Sequence, residues 1–314
     1  MPATESSILG LTTVSLAELI AMRARAGKPM SHPAHVRIPL AGGHRSALRG
    51  RGMDYAESRV YQPGDDVRNI DWRRTARSGK WHTKLFEEER EQSLLLLIDT
   101  HATMRFGTRA RYKSVVAAHA AAWLTWTCMR AGDRVGALAF GAVRAATDPH
   151  AGSRGALAVL GALARWDHQA RGMPSPDSQD EPLSRALQRA RRLLAPGSRA
   201  MLLSDGWCTD AATHAALVRL TRHVDLRVGI LADALEYELA PVGSYVFETA
   251  NGRSKVDLSN SGTRAAFRDQ LAAGWRNLAQ ACDAARVPWT RIASDAEPDV
   301  PLTGLWRQRR RLRS

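Results

Sequence analysis

Asp99-Thr-His-Ala-Thr103 concentrates more chemistry than any other five residues of this chain. It follows an unbroken apolar run, Leu94 to Ile98, and therefore starts where a buried strand ends. A carboxylate at a strand exit, with lone-pair side chains two and four residues on, is how a divalent-cation site begins on an open α/β sheet. The segment Met201-Leu-Leu-Ser-Asp-Gly206 repeats the arrangement, with Ser204 and Asp205 at the exit of a second apolar strand. Magnesium or manganese takes oxygen ligands, and Asp99, Thr103, Ser204 and Asp205 offer them. His101 is the odd member, because imidazole suits zinc- or manganese-like ions better than magnesium. The alternative is that both aspartates cap the helices that follow, or pair with arginine.

Such residues need a scaffold, and from Gln92 onward the chain alternates strands with helices. Strands are expected at Ser93–Ile98, Arg134–Phe140, Arg199–Leu203, Leu226–Leu231 and Val287–Arg291, with a hairpin strand near Val143 and short β pieces near Tyr245 and Val256. Helices are expected at about Arg109–Ala131, Arg154–Arg165, Pro182–Leu194, Ala211–His223 and Thr263–Ala284, with a polar loop over Gly172–Asp180. This pattern means an α/β fold, a mostly parallel sheet with helices on both faces. Ligands on such sheets sit at the carboxyl ends of the strands, where Asp99 and Asp205 lie. The expected division is an N-terminal helical segment (1–34, with a Ser15–Ala26 helix), a small β-rich module (35–91), the α/β domain (92–300) and a basic C-terminal tail (301–314).

Within the module, Tyr61-Gln-Pro-Gly-Asp-Asp-Val-Arg-Asn-Ile-Asp-Trp-Arg-Arg-Thr-Ala-Arg77 is polar and turn-rich. Pro63-Gly64 suits a type II turn. Asp65, Asp66, Arg68, Asp71, Arg73 and Arg77 put both charges into a dozen or so residues. They form either a docking surface or an ion-pair network clamping the module onto the α/β domain. Trp72 is expected as an anchor at that junction, and Glu87, Glu88, Glu89 and Glu91 either answer the arginines or face a partner.

The formal net charge is +14, but its distribution argues against nucleic acid as the partner. Basic residues number 40 Arg against 5 Lys, and residues 201–300 are net negative. A solvated basic face with a basic tail accounts for this pattern. Three scattered cysteines fit a reducing, cytoplasmic setting. No secretory signal is evident, and the longest apolar stretch, near Val115–Met129, is shorter than the roughly 20 residues of a membrane span. Phosphate loops, nucleophile elbows and H-E-x-x-H are all missing, so neither a nucleotide nor catalysis is expected. The rivals are a nucleic-acid binder using the arginines, and a metal-dependent hydrolase built on Asp99, His101, Glu181 and Asp205.

Together, Gly50-Arg-Gly-Met-Asp-Tyr55, Glu57-Ser-Arg-Val-Tyr61, Pro63-Gly-Asp-Asp-Val-Arg68, Ile70-Asp-Trp72, Thr75-Ala-Arg77 and Lys84 resemble the domain of unknown function 58 family. Asp133-Arg-Val-Gly136, Leu203-Ser-Asp-Gly206 and Asp233-Ala-Leu-Glu236 are each similar to a family signature, and the resemblance covers about residues 35–300. It implies a Rossmann-like von Willebrand factor A domain with a metal-ion-dependent adhesion site, and members tend to be encoded beside MoxR-type AAA+ ATPases. Carried over, Asp99 matches the first aspartate, Thr103 replaces the second serine conservatively, and Asp205 matches the last carboxylate. His101 stands where the first serine belongs and Glu181 near the loop threonine, so the implied site is degenerate. The resemblance thus implies a non-enzymatic adaptor for a MoxR-type ATPase, with magnesium or manganese as an electrostatic bridge if an ion binds.

Overall fold

Ser15 opens the first helix, its hydroxyl accepting the Glu18 amide at 3.2 Å. In the computed structural model the described residues are 10–26, 53–63, 65, 67–88, 92–172, 180–249 and 252–307. Helix α1 spans Leu16–Ala21 and tightens into a 3-10 turn at Met22–Ala24, short of the expected Ala26. Glu18 does not close a capping box. Its carboxylate reaches instead to His119 Nε2, 2.7 Å away. Leu19 is fully buried, and its carbonyl accepts the Trp126 indole N–H at 3.0 Å.

The chain divides into two compact units, Ser31–Glu91 and the combination of Met1–Met30 with Gln92–Ser314. In the smaller unit β1 (Met53–Val60) pairs antiparallel with the later strand β2 (His82–Glu88), with a bulge between Tyr55 and Glu57. Between the strands lie a 3-10 turn at Val67–Asn69 and helix α2 (Trp72–Ser78). The helix departs from a purely β-rich reading. Asp71 caps it, accepting the Arg74 amide at 3.1 Å, and Gly79 ends it with a left-handed φ of 67°. The sequence carried that signal, an aspartate N-cap and a glycine just past the last turn. The pieces expected before residue 51 lie outside the described residues.

The larger unit runs β3 (Ser93–Asp99), α3 (Lys113–Arg130), β4 (Arg134–Phe140), β5 (Ala145–Ala151), α4 (Gly152–Arg171), α5 (Leu183–Leu193), β6 (Arg199–Ser204), α6 (Thr213–Thr221) and β7 (Asp225–Ala232). A short helix α7 (Ala234–Tyr237), the hairpin β8 (Ser244–Thr249) and β9 (Gly252–Asp257), α8 (Ser261–Leu271), α9 (Ala273–Ala285), β10 (Trp289–Ala293) and α10 (Asp299–Arg307) complete it. The helix expected over 263–284 is two helices that meet at Ala272.

Six strands form one sheet in the order β10-β7-β6-β3-β4-β5. Every pairing is parallel except β4 with β5. Leu94 to Leu97 are fully buried because both faces of β3 are covered. Leu94 and Leu96 face the layer of α1, α3, α4 and α10, while Leu95 and Leu97 face that of α5, α6 and α9. The order reads 3-2-1-4-5-6 when the six strands are numbered along the chain, the doubly wound arrangement of α/β folds. This is the mostly parallel, helix-covered sheet that the alternating pattern required.

The segment from Asp299 is not a tail as far as Arg307. In α10, Leu302 and Leu305 are buried and Trp306 is 9% exposed. The Arg227 guanidinium lies 5.1 Å above the Trp306 ring and donates to the Leu305 carbonyl. Residues 308–314 lie outside the described residues.

Candidate functional site

In the doubly wound order the strand connections part at β3 and β6, which leaves a crevice beyond the carboxyl ends of these two neighbours. Asp99 ends β3, Ser204 ends β6 and Asp205 follows it; they are 2%, 0% and 1% exposed. One oxygen of Asp99, Oδ1, accepts the His101 amide at 2.9 Å and lies 2.7 Å from His101 Nδ1. The other, Oδ2, accepts the Ser204 hydroxyl at 2.5 Å and the Cys208 thiol at 3.3 Å. Burial disfavours a charged imidazole, but Asp99 in contact with it, helped by Asp180 and Asp205, raises the His101 pKa to about 9. Burial also opposes ionisation of Asp99, yet the His101 charge and these hydrogen bonds hold its carboxyl below the ordinary range. The pair is an imidazolium–carboxylate contact, buried on the Asp99 side and partly exposed on the His101 side.

Asp205 faces a cation of the protein's own. Lys113, the first residue of α3, is 1% exposed, and its Nζ donates to Asp205 Oδ2 and Glu236 Oε1, each at 2.8 Å. Burial alone would drive the ammonium toward its neutral form, but the two carboxylates outweigh this and raise its pKa. The Phe106 ring adds a face 5.5 Å from the same nitrogen. Gly206 follows Asp205 at φ 84°, and a Cβ there would come 2.3 Å from the Gly274 carbonyl. Glycine is therefore required for this loop to lie against α9.

The residues expected around a hard cation do not converge on one. Asp99 and Ser204 meet, and Asp205 adjoins them, but Asp205 spends Oδ2 on Lys113 and Oδ1 on the Trp207 amide, 3.2 Å away. Thr103 lies exposed in a 3-10 turn, Ala102–Met104. Glu181 is buried against Arg189 at 2.7 Å and Arg144 at 3.7 Å, so it serves as an ion-pair partner. These contacts do not fit magnesium, which needs free oxygen ligands. Among the described residues, Asp99, His101 and Cys208 are the one group of three His, Cys, Asp or Glu donors whose ligand atoms all lie within 4.8 Å. Their O, N and S donors suit a zinc-class ion better than magnesium. Burial and the Asp99 charge, however, push the Cys208 thiol well above its ordinary pKa, and it serves Asp99 as a hydrogen-bond donor. A cavity of about 30 Å³ beside Asp99 and His101, lined also by Ser114 and Trp166, has room for a single water.

In the smaller unit the polar stretch splits into structural and surface parts. Asp65 ties a turn together, accepting Arg59 at 2.6 Å, the Gln62 amide at 2.9 Å and Thr83 at 3.4 Å. Its own amide donates to the Gln62 carbonyl at 3.0 Å, which closes the turn around Pro63. Asp71 binds the Ser58 hydroxyl at 2.5 Å as well as capping α2. Arg68, Arg73 and Arg77 are exposed, and Asp66 lies outside the described residues. Trp72 was expected as a packed anchor, but it is 65% exposed. It sits 6.3 Å from Trp81, itself 53% exposed, and Tyr61 lies 6.0 Å from Trp81. Ile70, two residues earlier, is the buried apolar residue of this stretch, at 2% exposed.

A family model described as "Protein of unknown function DUF58" matches residues 57–279, well over half of the chain. The chain belongs to the DUF58 family. Uncharacterized proteins of Mycobacterium tuberculosis and Mycobacterium bovis are 32% identical to it over 217 residues. That alignment takes in 67% of this chain, which spans 65% of the length of these curated relatives. Among solved structures this DUF58 protein is similar to BatB from Bacteroides thetaiotaomicron, with a TM-score of 0.40, 10% identity, and coverage of 68% of this chain and 96% of that one. It is also similar to a von Willebrand factor type A structure from Catenulispora acidiphila, with a TM-score of 0.32, 14% identity, and coverage of 62% and 45%. No helix among the described residues is long and apolar enough to cross a membrane.

Sequence reasoning missed three residues of this DUF58 crevice, Lys113, Glu236 and Cys208. Lys113 left a signal, as one of 5 lysines in a chain with 40 arginines, standing at the head of a helix buried on nearly every side. Glu236 lies in Asp233-Ala-Leu-Glu236, where both halves of a capping box form and one glutamate oxygen remains to reach Lys113.

Proposed function

We propose that this chain is a non-enzymatic, protein-binding adaptor that works with a MoxR-type AAA+ ATPase. The observation that carries this reading is the aromatic group of exposed Trp72 and Trp81 with half-buried Tyr61, in a segment that also exposes Arg68, Arg73 and Arg77. Tryptophan, tyrosine and arginine are the residues that dominate binding energy at protein interfaces. Two tryptophans more than half exposed gain by being covered. The same stretch carries most of the family resemblance, and the family tends to be encoded beside such ATPases.

The strand-end crevice supports the non-enzymatic half of the reading. Its carboxylates are neutralised by Lys113 and His101, and Cys208 is held as a thiol rather than as a thiolate nucleophile. The test is calorimetric titration of the chain with a purified MoxR-type ATPase from the same genome, set against a Trp72→Ala/Trp81→Ala variant. Saturable binding that the variant weakens by about 30-fold or more supports the reading, since even one hot-spot tryptophan is worth about 2 kcal/mol or more. Binding unchanged in the variant moves the contact elsewhere. Binding of single-stranded oligonucleotides with a steep inverse salt dependence, and none to the ATPase, favours the nucleic-acid rival.

A further inference from the structure

Lys113 heads a helix that is otherwise buried almost all round, from Val115 to Cys128, and its ammonium meets the ends of two strand-to-helix connections. A lysine inside a protein costs several kcal/mol of lost hydration, and only good pairing offsets that cost. Here carboxylates pair with it on two sides at 2.8 Å, and the Phe106 ring lies 5.5 Å away.

Each oxygen of the carboxylates here already has a partner. Asp205 gives Oδ2 to Lys113 and Oδ1 to the Trp207 amide. Glu236 gives Oε1 to Lys113 and Oε2 to the Asp233 amide, 3.0 Å away. Asp99, one strand over, gives Oδ1 to His101 and Oδ2 to Ser204 and Cys208. A divalent ion entering here would have to share every oxygen of Asp205 and Glu236 with a partner already bonded to it. It would also sit beside a buried ammonium whose repulsion is little screened.

We propose that the Lys113 ammonium is the resident cation of this crevice and that it excludes magnesium and manganese. The acidic pair Asp205 and Glu236 is thereby served by a covalently attached charge, and any contact made at this face is independent of divalent ions. The inference rests on the larger unit alone and stands whether or not the proposed ATPase partnership does.

Manganese titration of the whole chain by calorimetry, at near-neutral pH, tests it in four proteins. The wild type is expected to show no stoichiometric uptake. Lys113→Ala frees both carboxylates and is expected to take up one manganese, at least about tenfold more tightly than the wild type, because metal affinity follows the ligands left unpaired. Lys113→Ala/Asp205→Asn is expected to lose that gain. One manganese bound by the wild type and lost in Asp205→Asn would overturn the proposal. So would a folded Lys113→Ala protein, with the wild-type circular dichroism spectrum, that takes up none. Should Lys113→Ala not fold, nitrogen NMR of the lysine-labelled wild type decides. A buried ammonium signal that survives added manganese supports the inference, and its paramagnetic loss overturns it.

Discussion

Lys113 and Asp205 meet at 2.8 Å across 92 residues of sequence, with their side chains 1% and 0% exposed. The contact joins the head of α3 to the end of β6 and places a protein cation where the acidic residues of two strand exits gather. Removing one partner of such a pair strands the other's charge in the interior, which costs roughly 3–5 kcal/mol. Lys113→Ala is therefore expected to lower the urea midpoint of the wild type by that equivalent. Lys113→Met/Glu236→Gln, which removes opposite charges together, is expected to cost clearly less. Equal losses in both variants would show that packing, not charge, sets the cost.

The His101–Asp99 pair gives stability a defined pH dependence. His101 has a folded pKa of about 9 against 6.5 unperturbed, so its contribution is fully present below 6.5 and is lost as pH rises through 9. Asp99 has the opposite sense. Its folded pKa is lowered, so its share is present above 3.8 and is lost as pH falls through the depressed value. The stability difference between wild type and His101→Gln should shrink between pH 6.5 and 9 by on the order of 3 kcal/mol, from the linked proton. Chemical denaturation at a series of pH values measures it, and a flat difference across that window would break the assignment.

Trp72 and Trp81 should separate stability from binding. Because both are largely exposed, Trp72→Ala is expected to change unfolding free energy by about 0.5 kcal/mol or less. The same change should weaken partner binding by about 2 kcal/mol or more. Thermal melting and calorimetry on one preparation give both numbers.

The three cysteines should be slow toward thiol reagents in the native state. Burial pushes Cys128 and Cys282 up to about 12, and burial together with Asp99 pushes Cys208 well above the ordinary thiol value. Since the thiolate is the nucleophile, a disulfide reagent at neutral pH is expected to label the folded chain slowly and all three sites promptly in urea. Prompt labelling of one site in the native chain, mapped by mass spectrometry to Cys208, would mark it as reactive.

The sheet was legible in the sequence because its strands are unbroken apolar runs bounded by turns. Arg134–Phe140 has the bounds expected for it, and Ser93–Asp99 and Arg199–Ser204 each extend one residue further. What hid was the part set by contacts distant along the chain. Asp99 and Asp205 were visible as strand-end acids, but their neutralisation by Lys113 and His101 depends on which helix end folds over which strand. Thr103 fits an alternating ligand pattern on paper, yet a 3-10 turn leaves it exposed. Glu181 offers a carboxylate, but Arg189, eight residues on in α5, takes it. In α10 the apolar residues Leu302, Leu305 and Trp306 run straight into the arginines that begin at Arg307, so a packed helix reads as part of a charged tail.

The most direct test of the lysine-closed crevice is a crystal structure grown in manganese, with anomalous scattering recorded. The account predicts Lys113 Nζ within hydrogen-bonding distance of both Asp205 and Glu236, and no anomalous peak among Asp99, Ser204 and Asp205. A peak at that position, with the lysine swung away, would contradict it.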